Sequence, residues 1–325
     1  MRCTNRFYRF FAVTLVLCLT MGLCACGKDE LSLDYKKYNS ITETQTDGRV
    51  EGFSTHLAVT DSDVNGKTGF APEDVVAAGL FDVNGKKVLY SKNVFEQMNP
   101  ASLTKIMTAI CAMKNCNEED IIICSDNVDK LESGASVCGL KPGDQLTVGE
   151  ALRFMLLPSA NDAAIAIAEH VSGSVEEFAA LMNEEAAKLG ATDTHFVNPH
   201  GLTADEHYTT AYDMYLISNE AIKYDLFNSI ISMTDYSSVI KDRNGSEKTI
   251  EVKTSNKFLD GTYYPPENIN VVGGKTGTTL AAGSCLVLIT KDSSGNPYIA
   301  VILKASDRGV LYDRMVQMLN EINSR

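Results

Sequence analysis

From residue 75 onward the chain alternates between short apolar runs and apolar stripes of helical spacing. VVAAGLFDVNGKKVLYSKN (75–93) is two apolar stretches joined by Asn84-Gly85, a strong hairpin signal. In 102–114, Leu103, Ile106, Met107 and Ile110 recur at i, i+3, i+4 and i+7, the stripe of a core-facing helix. EDIIIC (119–124) predicts a short strand, and LKPGDQLTV (140–148) a turn and a strand. Residues 148–157 read as an amphipathic helix stopped by Pro158. Helices follow over 161–171, over 175–190 with Gly190 as the C-cap, and over 209–223. From 236 the pattern turns to strands: YSSVI and KTIEVK around Asn244-Gly245, then SCLVLIT and YIAVILK around Ser294-Gly295. LYDRMVQMLNEI (311–322) predicts a closing helix. These elements imply a mixed α/β fold of the α+β type. The strand-rich ends share one antiparallel sheet with helices on its faces, and residues from about 110 to 235 form a helical lobe.

Before residue 71 the character changes. Residues 26–70 are polar and aperiodic and read as a flexible tether, leaving 71–325 as the folded domain. The first 25 residues carry Arg2, Arg6 and Arg9 with no acid before Asp29, and then the apolar run FFAVTLVLCLTMGL. That is the basic and apolar layout of an export signal, too short for a comfortable membrane span. LCAC (23–26) resembles a bacterial lipobox, with Cys26 as the residue that would be lipidated. The expectation is an exported protein held on the outer face of the cell membrane by lipid, or, after plain signal cleavage, secreted to the cell wall.

The composition, 44% hydrophobic and 22% charged, is ordinary for a globular domain. Removing residues 1–25 leaves 26 basic against 42 acidic side chains, a net charge of −16. Such a surface argues against nucleic acid and against electrostatic docking on anionic lipid. Membrane attachment would come from the lipid anchor. Cys111, Cys116, Cys124, Cys138 and Cys285 remain after Cys26, an odd number without CxxC spacing, and read as small buried hydrophobes. The five histidines show no metal-ligand spacing, and His195 and His200, flanking a turn, read as structural. No metal and no cofactor is expected.

Candidate chemistry lies on the flank of the first helix. Ser102 and Lys105 stand at i and i+3, where side chains meet. A lysine amine titrates near 10.4 and is no base at neutral pH, but burial and a neighbouring cation can drive it down by several units. It could then accept the hydroxyl proton as Ser102 attacks a carbonyl, while free N–H groups at the helix N-terminus stabilise the oxyanion. The plain alternative is that Ser102 caps the helix and Lys105 reaches solvent. Ser159 and Asn161 on the turn between two helices either point into a cleft or cap the second helix. In VVGGKTGTT (271–279) the glycines allow close approach of backbone to a ligand. Lys275, Thr276 and Thr278 suit a carboxylate, and the plain alternative is a glycine-rich turn. Bare tripeptides also recur elsewhere, as Ser238–Lys241, Lys67-Thr68-Gly69 and Ser125-Asp126-Asn127.

S-x-x-K, S-x-N and K-T-G in that order are the signature of penicillin-recognising serine enzymes. PASLTKIMTA, the segment from GLKPGDQLTV to NPHGL, and GGKTGTTLAAGSCLV resemble the D-alanyl-D-alanine carboxypeptidases of the low-molecular-weight penicillin-binding protein family, from about 72 to 320. The resemblance implies a β-lactamase/transpeptidase-like fold. It implies removal of the terminal D-alanine from peptidoglycan stem peptides through an acyl-enzyme, with β-lactams as covalent inhibitors. It makes Ser102 the nucleophile, Lys105 the general base and Ser159 the proton relay. Asn161 would orient the substrate amide, and Lys275 would lower the pKa of Lys105. Thr276, Gly277 and Thr278 would border the carboxylate, and the backbone N–H groups of Ser102 and Thr278 would form the oxyanion hole. Arg308 is the candidate for the family's carboxylate-holding arginine. Ala160 stands where many members have glycine, and the C-terminal β-domain of many members is not expected here. Two alternatives on the same scaffold are a β-lactamase, which would need a water-positioning glutamate where this chain has TDTHFVNPHGL, and a non-catalytic penicillin sensor.

Overall fold

Two apolar runs near the C-terminal end lie at the centre of the fold. The computed structural model describes residues 52–324, so the export signal, Cys26 and the first half of the expected tether lie outside the described residues. SCLVLIT and YIAVILK fall in β8 (Gly283–Asp292) and β9 (Pro297–Ala305), and both are buried on both faces. Their odd-numbered residues Val287, Ile289, Val301 and Leu303 enter one core. The even-numbered Leu286, Leu288, Ala300 and Ile302 enter a second. A strand between two cores has no polar face, which is why these runs do not alternate. The sheet is five-stranded and antiparallel, in the order β2-β1-β9-β8-β7, with β1 (Val75–Asp82), β2 (Lys87–Lys92) and β7 (Ile269–Thr279).

One face of this sheet packs on α7 (Arg308–Asn323), whose N-cap Asp307 accepts from Val310 N. The other face packs on the helical lobe. The lobe contains α1 (Thr104–Asn115), α2 (Val148–Leu156), α3 (Asn161–Ser172), α4 (Val175–Lys188), α5 (Ala211–Ala221) and α6 (Asp225–Ile231). α1 is buried on every side from Thr104 to Ala112, not only along the expected stripe. A helix enclosed all round is a core helix, so whatever polar group it carries is desolvated. α2 opens with a capping box between Thr147 and Glu150, and α3 ends on left-handed Gly173.

Three expectations are corrected. The strands over 236–253 do not join the main sheet. β5 (Asp235–Lys241) and β6 (Glu247–Lys253) pair with β3 (Ile121–Ile123) and β4 (Gln145–Thr147) in a separate four-stranded sheet. Periodicity marks a strand but not its partner. VVGGKTGTT is a strand rather than a turn, because pairing with β8 over Ile269–Thr279 holds its glycines extended. The tether does not run free to residue 70. Ala58 N donates to the buried Tyr215 hydroxyl, Val64 exchanges bonds with Ser91, and Asp63 accepts from Asn93 N and Val94 N. The carboxylate of Glu321, itself buried, accepts from Lys67 N and Thr68 N. Side-chain capture of a polar stretch leaves no apolar periodicity to read.

Candidate active site

Ser102 sits in the 3-10 turn Ala101–Leu103 that leads into α1. Leu103 is the N-cap of α1 and makes no side-chain cap bond, so Ser102 is not spent on capping. Its hydroxyl lies 3.0 Å from Lys105 Nζ. Ala101 is left-handed, with φ 47°, a conformation costly for a residue with a Cβ. The 198–202 segment presses on this turn. A Cβ on Gly201 would stand 1.9 Å from the Ala101 carbonyl oxygen, so only glycine fits there. Asn198 holds the segment in shape, accepting from His200 N and Gly201 N and donating to the Leu202 carbonyl.

Lys105 has no exposed surface and three oxygen neighbours. These are Ser102 Oγ at 3.0 Å, Asn161 Oδ1 at 2.6 Å and the His200 carbonyl at 2.6 Å. The two shorter contacts are to pure acceptors and use two N–H groups. Among the described residues no carboxylate hydrogen-bonds this nitrogen. Desolvation, and after it the charge of Lys275, holds the amine well below the ordinary lysine range, with Asp162 opposing. An unpaired buried ammonium would be far more costly than losing the proton. A neutral amine has two hydrogens and one lone pair, which matches two acceptors and a hydroxyl able to donate.

Ser159 and Asn161 come from the α2–α3 connection. Neither caps α3, whose N-cap is Ala160 without a side-chain bond. Asn161 instead turns its Oδ1 to Lys105. Ser159 is left-handed, at φ 72°, and its buried hydroxyl has no partner among the described residues. A buried hydroxyl without a bond is uncommon. Asp162, the next residue of α3, accepts from Cys138 N, Gly139 N and Leu140 N, while Asn161 N donates to the Ser136 carbonyl. The 136–140 loop is thus fastened beside the second motif.

β7 is the edge strand of the main sheet and runs along the Ser102 turn. A Cβ on Gly277 would lie 3.0 Å from Ser102 N and from Ala101 Cβ. Lys275 is buried, donates to the Thr276 carbonyl at 2.8 Å, and is pushed down to about 7 by desolvation. The Thr276 hydroxyl shares a 2.6 Å bond with Ser255 Oγ, and Thr278 is exposed at the end of the strand.

The structure therefore joins Ser102, Lys105 and Asn161 by direct bonds and lays Gly277 of β7 against them. Arg308 stands exposed at the first position of α7, where its charge acts on Tyr312, and among the described residues it is not bonded to the others. The decoys have other work. Ser238 bonds Glu150, Ser125 caps a short turn and bonds Glu169, and the Lys67-Thr68 backbone binds Glu321. Sequence reading missed Ser255, Asp162 and the His200 carbonyl. No local pattern points to Ser255, whereas Asp162 adjoins the second motif. His207 is buried and His200 half-buried, with imidazoles pushed down to about 4 and about 3, and both are structural. His200 Nδ1 accepts from Leu202 N, His207 Nδ1 accepts from Val197 N, and His207 Nε2 bonds Thr104. Cys111, Cys116, Cys124, Cys138 and Cys285 are all free thiols, and Cys111, Cys124 and Cys285 are buried.

The sequence profile described as D-alanyl-D-alanine carboxypeptidase matches residues 71–307. The D-alanyl-D-alanine carboxypeptidase DacF of Bacillus subtilis is 37% identical over 246 residues, covering 74% of this chain and 60% of the relative. DacC of Escherichia coli is 34% identical over 270 residues, covering 78% and 64%. The crystal structure of a Streptomyces DD-transpeptidase superposes with a TM-score of 0.73 at 25% identity, over 78% of this chain and 99% of that one. This chain thus spans less than two thirds of the length of the two curated relatives.

Proposed function

The chain belongs to the D-alanyl-D-alanine carboxypeptidase family, and we propose that it cleaves the terminal D-alanine from stem peptides ending in D-Ala-D-Ala through an acyl-enzyme at Ser102. The observation that carries this reading is the buried Lys105 amine 3.0 Å from Ser102 Oγ. Lys105 takes the hydroxyl proton as Oγ bonds to the carbonyl carbon of the penultimate residue. The carbonyl oxygen becomes an oxyanion facing the N–H groups of Ser102 and Thr278. As the C–N bond breaks, the proton passes by way of Ser159 to the leaving D-alanine nitrogen. Water then hydrolyses the ester and restores Ser102. The peptide lies along the edge of β7, where an extended segment meets free backbone groups. Its carboxylate sits near Lys275 and Thr276, restoring charge to a lysine that burial has brought to about 7. Arg308 is the candidate for a second positive charge on that carboxylate. A β-lactam follows the same first step and stays as a covalent adduct.

Two measurements test this. Mass spectrometry after penicillin treatment should place one adduct on Ser102, absent from Ser102→Ala. Incubation with a peptide ending in D-Ala-D-Ala should release D-alanine, and an acylated protein that releases none would leave a penicillin-binding protein without peptidase activity. The proposed export and lipid attachment rest on residues 1–26. They predict incorporation of labelled fatty acid that Cys26→Ser abolishes.

A further inference from the structure

We propose that Cys116, Asp120 and His170 form a binding site for one divalent cation of the zinc class, at the end of α1 opposite the nucleophile. One ligand atom from each residue, a thiol sulfur, a carboxylate oxygen and an imidazole nitrogen, lies within 4.8 Å of the other two. In a tetrahedral zinc site the ligand atoms stand roughly 3.4–3.7 Å apart, given bonds of about 2.0–2.3 Å. Small side-chain rotations close that difference. Thiolate, imidazole and carboxylate together suit a borderline-soft ion better than magnesium or calcium, which prefer oxygen alone. Three protein ligands leave the fourth position to water.

The backbone favours a cation here independently of the side chains. Cys116 is the C-cap of α1, and His170 lies in the last turn of α3. The negative ends of two helix dipoles therefore converge on one point. Asp120 is oriented in advance, because its Oδ2 accepts from Asn117 N at 2.7 Å, leaving Oδ1 for an ion. Cys116 and Asp120 are half-buried and His170 is exposed, so an ion can enter from solvent. Neither the spacing of the histidines nor that of the cysteines pointed to metal, since His170 comes from a segment 50 residues beyond Asp120.

The consequence is structural. α1 starts at the Ser102 turn and α3 starts with Asn161, the acceptor of Lys105. Each helix has 12 residues, so an ion joining their far ends would act about 18 Å from the chemistry. It would hold one helix against the other and stabilise the folded state by mass action.

The test uses the metal-free full-length protein titrated with Co2+ as a spectroscopic stand-in and with Zn2+ during thermal unfolding. The expected result is one equivalent bound, a thiolate-to-cobalt charge-transfer band, and a higher unfolding midpoint with Zn2+. Cys116→Ser should abolish the band, and Asp120→Asn and His170→Ala should each weaken affinity at least about tenfold. Cys124→Ser should leave the band unchanged. Penicillin acylation of Ser102 reports folding in every variant. His170 is exposed, so His170→Ala carries the test even if the others fold poorly. Absence of the band at one equivalent of Co2+, or unchanged affinity in His170→Ala, overturns the site.

Discussion

Lys105 is where burial changes an ordinary residue most, holding its amine well below the ordinary lysine range. Its nitrogen has two acceptors at 2.6 Å, and the Ser102 hydroxyl at 3.0 Å meets its remaining valence only if the amine is neutral. Lys105→Met should therefore lower the rate of penicillin acylation by about 10²–10⁴-fold, the range for loss of a general base, with binding of the intact drug less affected. Stopped-flow acylation separates the two. The acylation rate should rise with pH through a value well below the ordinary lysine range, as Lys105 loses its proton. Carboxylate recognition should weaken as pH rises above about 7, as Lys275 loses its own. The kcat/KM of a D-Ala-D-Ala peptide should accordingly be bell-shaped, and Lys275→Arg should extend its alkaline limb. Ser238→Ala, in the decoy S-x-x-K, should leave acylation unchanged.

At the scale of elements, the site depends on two close approaches, one that only glycine permits and one that leaves little room for a larger residue. Gly201 combines φ +87° with a Cβ position inside the Ala101 carbonyl. Gly201→Ala should displace the 198–202 segment, remove the His200 carbonyl from Lys105 and cut acylation strongly. Gly277→Ala meets contacts of 3.0 Å and should be milder, with an effect on acylation larger than on the unfolding midpoint. Asp162→Ala strips three N–H groups of their acceptor, one of them buried and two half-buried, and should cost roughly 1–3 kcal/mol for the buried one and less for the others. Chemical denaturation measures it. These elements were legible to different degrees. The stripe of α1, the stop at Pro158 and the two-sided runs of β8 and β9 were readable because burial pattern and period agree. The edge strand β7 was not, because three glycines carry no hydropathy. The seven-residue α6 was missed because it is too short to show a period.

For the whole molecule, two histidines desolvated by the fold contribute to the response to acid. His200 and His207 titrate at about 3 and about 4 when folded, below the ordinary 6.5. The unfolded chain binds their protons first, so stability falls as pH drops from 6.5 towards 4, by roughly 1.4 kcal/mol per pH unit for each group. Asp213 opposes them. Burial raises its carboxyl to about 6, so the folded state gains a proton there first, and one of the two histidine contributions is offset. Lys105, lowered when folded, acts in the same sense, its contribution falling as pH drops from the ordinary lysine range towards its folded value. The midpoint of urea unfolding should therefore decline between pH 6.5 and pH 4, and His207→Gln should flatten the decline.

The chain by itself determined most of the segments that become helix and strand, since period and punctuation are local, and set out the candidate site, since the three motifs stand in a telling order. Only the tertiary structure decided that the strands divide between two sheets, that 53–70 is fastened to the domain, and that Asn161, His200 and Lys275 converge on Lys105. Desolvation and hydrogen-bond partnership belong to the space between distant segments, and no window of neighbouring residues contains that space.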